Sequence, residues 1–124
     1  MPILTVDLPA GYSTEQKAAL LRQSTQAVVE AIGAPESSVR ILLHEYAPEH
    51  TIVAGELGAA HLLCIVRLIE GRTTGAKAAL IAALSRAANG SLGLSEQDIR
   101  IVLDDVPKTD MGVAGGITAL AAGR

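Results

Sequence analysis

Two residues of this chain are of a type and in a place to move protons and hold an anion: Pro2, directly after Met1, and Arg72. Removal of Met1 would leave Pro2 as a secondary amine. An α-amino group titrates nearer neutrality than lysine, with a reference pKa of about 7.7–8, and an apolar pocket or a nearby guanidinium lowers that value further. Such an amine can accept and return a proton near neutral pH, whereas a retained Met1 would turn it into an amide without basicity. A guanidinium presents a planar fork of donors that matches a carboxylate and cannot serve as a base. Arg72 is therefore suited to bind an acid and to steady negative charge as it develops on an enolate. The plain structural alternative for Pro2 is the start of an edge strand.

What ties these two residues together is a repeat. Shifted by sixty residues, the stretch from Pro2 to Glu56 lies over Leu62 to Gly116 without a gap, with about 17 identities in about 55 pairs, among them Val6/Val66, Lys17/Lys77, Gly33/Gly93 and Arg40/Arg100. The copies disagree where chemistry would be done: Pro2 faces Leu62, and Tyr12 faces Arg72. A duplicated unit that has divided its labour explains both differences.

The elements that must position these residues recur in the same order in each half. An apolar run (Ile3 to Leu8; Leu62 to Ile69) reads as a strand and ends at a glycine turn, Gly11 or Gly71. An amphipathic stretch follows, with Ala18, Leu21, Thr25, Val28 and Ile32 at helical spacing in the first copy and Leu80, Ile81, Leu84 and Ala88 in the second. Ser13 with Gln16 fits a capping box, and Gly33 and Gly93 fit the helix C-termini. A second apolar run (Val39 to Leu43; Ile99 to Leu103) predicts another strand. Each half is thus β-α-β, and a helical crossover implies parallel, right-handed pairing. Two units side by side give an α/β fold with a four-stranded sheet and both helices on one face. Because both faces of such strands read as apolar, the other face should be covered by another copy. The segments around Ala54-Gly55 and Ala114-Gly115-Gly116 read as hairpins or β-arms at that contact.

At 124 residues the chain is expected to form a single domain, 1–124, made of units at about 2–58 and 62–120. With Tyr12 and Tyr46 as the only aromatics and a net charge of −3, it offers neither a base-stacking platform nor a basic footprint for nucleic acid. No apolar run approaches the ~20 residues of a membrane span, and no signal-peptide pattern is seen, so a cytoplasmic location is expected. Cys64 lies in an apolar run and reads as a buried hydrophobe. His44, His50 and His61 lack metal-ligand spacing, and Asp104 and Asp105, adjacent on a strand, should point to opposite faces.

Pro2, the run Glu70-Gly71-Arg72-Thr73, Arg100 and the tail Gly112-Val113-Ala114-Gly115-Gly116 together resemble the tautomerase superfamily, in particular the 4-oxalocrotonate tautomerase group, over nearly the whole chain. The resemblance implies a tandem β-α-β fold, a homotrimer, no metal or organic cofactor, and a small carboxylate substrate. It implies an isomerase in which Pro2 moves a proton between enol and keto forms of an unsaturated 2-hydroxy or 2-oxo acid such as 2-hydroxymuconate. Arg72 would reach the Pro2 site from the other half of the same chain. Arg40 and Arg100 fill a second family arginine position, from which one, with Arg100 favoured, would reach a Pro2 site across the trimer interface. Met111 stands where the family often has an aromatic pocket wall. Related dehalogenases carry an arginine and a water-activating glutamate where this chain has Ile69 and Val113, and related decarboxylases carry an aspartate at Ser38, so hydration and decarboxylation are not expected as main activities. A phenylpyruvate-type keto-enol tautomerase and a catalytically silent oligomeric binding protein of the same fold remain as alternatives.

Overall fold

In the computed structural model, which describes residues 1–124, the two halves fold alike. Strand β1 (Ile3–Pro9), helix α1 (Thr14–Ile32) and strand β2 (Arg40–Tyr46) are followed by a hairpin of β3 (Ile52–Val53) and β4 (Glu56–Leu57). The second half repeats this with β5 (Leu62–Ile69), α2 (Thr74–Leu92), β6 (Ile99–Val106) and a hairpin of β7 (Gly112–Val113) and β8 (Ile117–Thr118). The fold is the expected tandem β-α-β arrangement, and both glycine-rich segments form hairpins.

Local chemistry sets the helix limits. Ser13 Oγ accepts from the Gln16 amide at 3.1 Å while the Gln16 side chain accepts from the Ser13 amide at 3.0 Å, a reciprocal cap that satisfies two otherwise orphaned donors. Thr73 caps α2 in the same way through the Ala76 amide, but without a returning side chain. Both helices stop at a glycine in the left-handed region, Gly33 at φ 67° and Gly93 at φ 70°, where a Cβ would be strained.

The sheet order is β2-β1-β5-β6. Within each half the strands pair in parallel, as the crossovers require, and the two halves meet through antiparallel pairing of β1 with β5, in which Ile3 lies opposite Arg67 and Asp7 opposite Leu63. Alternation along the strands decides what is buried. Leu4, Val6, Leu8, Leu62, Cys64, Val66 and Leu68 point to the helices and join Leu20, Val28, Leu80 and Leu84 in one core. The second sheet face is not uniformly apolar. Ile3, Leu42, Leu63, Ile65 and Val102 share it with Asp7, His44, Arg67 and Asp104, and the charged groups pair across neighbouring strands, His44 with Asp7 at 3.1 Å and Arg67 with Asp104 at 3.7 Å. This differs from the apolar expectation because only every second residue of β1 and β5 faces the helices, and the alternate positions carry Thr5, Asp7 and Arg67 as well as apolar side chains.

Asp104 and Asp105 do separate as strand geometry requires: Asp105 turns to Lys77 on α2 at 2.6 Å, and its counterpart Glu45 binds Lys17 on α1 at 3.0 Å. Cys64 is buried in the core, and burial, followed by the nearby Asp7 carboxylate, pushes its thiol up to about 12. Almost no thiolate is then present at neutral pH. A thiol-specific disulfide reagent at pH 8 is expected to leave native Cys64 unmodified over minutes and to titrate it fully in denaturant; rapid modification of the native protein would contradict this placement.

Candidate active site

Antiparallel pairing of the two central strands brings the beginning of β1 beside the end of β5. This places the chain's first residues next to the loop that carries Arg72. A cavity of about 400 Å³ opens there, and both halves build it. The first half contributes Met1 with Ala34, Pro35 and Ser38 from the turn before β2; the second contributes Ile69, Glu70, Gly71 and Arg72 from the end of β5, with Lys108 and Arg124.

Pro2 is fully buried directly behind Met1, and its carbonyl accepts from the Arg40 amide at 3.1 Å, which fixes the start of β1 against β2. Arg72 is held at the cavity wall by a bond from its guanidinium to the Ile69 carbonyl at 3.2 Å. Ser38 donates its hydroxyl to the Pro35 carbonyl at 2.8 Å, so it faces the cavity already engaged. One Glu70 carboxylate oxygen accepts from the Lys108 amide at 3.4 Å. None of Arg72, Lys108 and Arg124 has a carboxylate within salt-bridge distance.

The electrostatics follow from this arrangement. The amine of Met1 is lowered below its ordinary value, first by burial and then by the charges of Arg72 and Arg124, all of which oppose protonation. Met111 does not line the cavity. It is buried with Ile69, Val113 and Ala119 in a small cluster against which Met1 and Ile3 pack, and so forms the apolar floor beneath the N-terminal residue.

Neither arginine at the start of a second strand enters this cavity within one chain. Arg40 is exposed at the head of β2. Arg100, at the head of β6, folds onto the carbonyls of Gln97 and Ile99 at 2.8 and 3.1 Å and lines a second cavity of about 420 Å³. The repeat equivalents of Met1 and Ser38, His61 and Asp98, line that second cavity too, but its other lining residues, Val53 and Ala54 of the first hairpin among them, have no counterparts in the lining of the first. Tyr12, the counterpart of Arg72, packs against the main core, and burial followed by the Asp98 charge raises its phenol.

Lys108 and Arg124 were not singled out from sequence. The repeat does mark Lys108, whose counterpart is Pro48, but Arg124 lies past the region where the copies align.

A family model described as "Tautomerase enzyme" matches residues 2–60 and, again, residues 63–120. The chain belongs to the tautomerase family. Among its curated relatives, a probable tautomerase of Ralstonia nicotianae is 50% identical over 50 residues, covering 40% of this chain and 71% of the relative. A 2-hydroxymuconate tautomerase of Comamonas testosteroni is 40% identical over 55 residues, covering 44% of this chain and 87% of the relative. Among solved structures, a fused 4-OT described as a wild-type symmetric trimer is 54% identical with a TM-score of 0.96, covering 98% of this chain and 99% of that one. The solved structure of Pt0534 inactivated by 2-oxo-3-pentynoate is 45% identical with a TM-score of 0.97 over the same shares. A fused 4-OT described as an asymmetric trimer is 44% identical with a TM-score of 0.94, again over the same shares. As a member of the tautomerase family, the chain is an isomerase of the 4-oxalocrotonate tautomerase type.

If Arg72 opposes protonation of the N-terminal amine as its position indicates, Arg72→Ala should raise the pKa of that amine. The rise should be partial, because burial is the larger cause. An NMR titration of the terminal amine in both proteins would measure it, and an unchanged or lowered value in the variant would contradict the geometry.

Proposed function

We propose that this tautomerase, after loss of Met1, uses Pro2 as general base and then acid on an unsaturated 2-hydroxy or 2-oxo acid of the 2-hydroxymuconate kind. The observation that carries this reading is the cavity in which the N-terminal amine, desolvated and facing Arg72, meets unpaired cations. Loss of one residue transfers the free amine from Met1 to Pro2, one position further into the fold. The neutral amine takes the proton of the enol hydroxyl. The O–H electron pair becomes the keto π bond, the conjugated double bond shifts, and the same amine returns the proton to carbon. Arg72 holds the carboxylate and offsets the charge of the dienolate between the two transfers.

A homotrimer is part of this proposal. It is supported by the trimeric state in which the fused 4-OT structures are described, and by Leu42 and Val102, each about half exposed on the sheet face away from the helices. In such an assembly Arg40 and Arg100, which do not reach the Pro2 cavity in their own chain, are available to a neighbour's cavity, and Arg100 is the favoured contributor. Light scattering at micromolar concentration should give three times the chain mass, and a monomer would exclude the proposal.

Catalysis should depend on the Pro2 cavity, completed by Arg100 of a neighbouring copy, and not on Tyr12. Pro2→Ala should lower turnover of 2-hydroxymuconate by at least about tenfold. Arg72→Ala should cost about one to two decades in kcat/KM, in line with loss of a charge-assisted contact. Arg100→Ala should impair turnover with the trimer intact, while Tyr12→Ala should leave it nearly unchanged. The base must be neutral to act, so kcat/KM should be lost as pH falls through the amine pKa, at a pH below that of an ordinary α-amino group. Wild-type activity in Pro2→Ala, or equal damage from Tyr12→Ala and Arg72→Ala, would defeat the one-cavity reading.

A further inference from the structure

The two halves carry the same kind of pair with its polarity reversed. On the sheet face away from the helices, Asp7 of β1 meets His44 of β2, and at the repeat-equivalent positions Arg67 of β5 meets Asp104 of β6. The acid stands on the inner strand in one half and on the outer strand in the other. Because the sheet order is β2-β1-β5-β6, the reversal gives the sheet two unlike edges, one marked by His44 and the other by Asp104. Both outer groups keep a free side: His44 is 56% exposed and Asp104 57%, against 17% for Asp7. Leu42 and Val102, also repeat equivalents, lie two residues away on the same strands, each about half exposed. Outer strands that offer unpaired backbone and apolar side chains need a cover.

Unlike edges discriminate among rings of three copies. Where all copies face the same way, every contact joins the β2 edge of one copy to the β6 edge of the next, a heterologous contact that closes on itself. Turning one copy about the pseudo-twofold of its sheet exchanges its edges, and the ring then holds one β2–β2 and one β6–β6 contact. Like meets like there, imidazole against imidazole and carboxylate against carboxylate. Charge also restricts how the edges slide along each other. Leu42, Thr5, Ile65 and Val102 form one row across the sheet. Strands in a closed arrangement tilt, so the rows of neighbouring copies meet in steps. From Leu42 facing Val102, a slide one way brings His44 level with Asp104. The opposite slide brings Arg40 level with Arg100, guanidinium against guanidinium.

We propose that the homotrimer is a head-to-tail ring in which His44 of each copy lies between its own Asp7 and Asp104 of the next copy. Nδ1 of His44 is 3.1 Å from Asp7, so in the protonated ring Nδ1–H is engaged within the chain and Nε2–H is left for the neighbour. Arg67 behind Asp104 continues the alternation of sign. In this ring all three Pro2 cavities meet the same surface of a neighbouring copy and are equivalent, so the arginine that completes one completes all. The inference rests on the homotrimer read above and adds the direction of its contacts and the residues that set it.

Two measurements on the whole protein test this. Light scattering through a dilution series at about pH 6, where an ordinary imidazole is largely protonated, follows the trimer. His44→Gln and Asp104→Asn should each raise the concentration of half-dissociation at least about tenfold. The double variant should be little weaker than the weaker single one, because both remove the same contact. Within one chain the two groups lie three strand spacings and four residues apart, roughly 20 Å, so such non-additivity arises only between copies. Circular dichroism checks that each variant is folded. In NMR of the wild-type trimer, the His44 imidazole, assigned by its loss in His44→Gln, should give one signal, whereas a ring with one turned copy gives more than one. Several His44 signals, additive losses, or no loss in the single variants would overturn the proposal. A wild-type monomer would remove the homotrimer itself, while a trimer with additive losses would remove only the edge assignment. Pro2→Ala should keep the trimer and the single His44 signal, so failure of proline catalysis is read separately.

Discussion

The antiparallel pairing of β1 with β5 decides what the rest of the molecule can do. With Ile3 opposite Arg67, the start of one unit's first strand lies beside the end of the other's, and every cavity at such a junction is built from both units. A register slip of one residue would turn Leu4, Val6 and Leu8 out of the helix-covered core. The same burial that stabilises the sheet therefore also fixes the distance between the N-terminus and Arg72. Position is set by the core, and chemistry is set by the few residues at the strand ends.

Because the pairing is nearly twofold symmetric, it makes two such junctions, and the chain has filled them differently. One holds the N-terminal residues with Arg72, Lys108 and Arg124; the other holds His61, Leu62, Asp98 and Arg100. Burial, and then Arg72 and Arg124, lower the proton affinity of the amine at the first cavity, whereas Tyr12, the repeat equivalent of Arg72, packs against the core and its phenol is raised by burial and then by Asp98. A duplicated fold can keep one scaffold and move all the demands of proton transfer to one end of it.

Much of this was legible in the sequence because it depends on local pattern. The strands, the helices, the Ser13–Gln16 cap and the glycine C-termini follow from periodicity and from residues that favour particular backbone conformations. The opposite facings of Asp104 and Asp105 follow from strand geometry alone. Other features depend on how the units meet, and local pattern is silent there. Nothing in the periodicity of Ile3 to Leu8 says that β1 pairs antiparallel with β5, nor that its outward residues, Thr5 and Asp7 among them, make that face mixed. Arg124 escaped notice for a related reason: it has no partner in the repeat, and only the folded turn of residues 119–124 brings it to the cavity.

The desolvation that suits an amine to act as a base also has a cost in stability, and its sign can be stated. The folded chain holds the N-terminal amine below its ordinary value, so in the pH range between the folded and unfolded pKa the unfolded chain binds more protons. Stability contributed at this site is therefore present above the unfolded value and declines as pH falls toward the folded one. Pairing the surrounding cations with protein carboxylates would ease that penalty. It would also raise the amine's proton affinity and occupy the groups that an anionic substrate needs. Leaving Arg72, Lys108 and Arg124 without carboxylate partners accepts the lower stability at acid pH in return for a neutral base and for cations free to meet an anion.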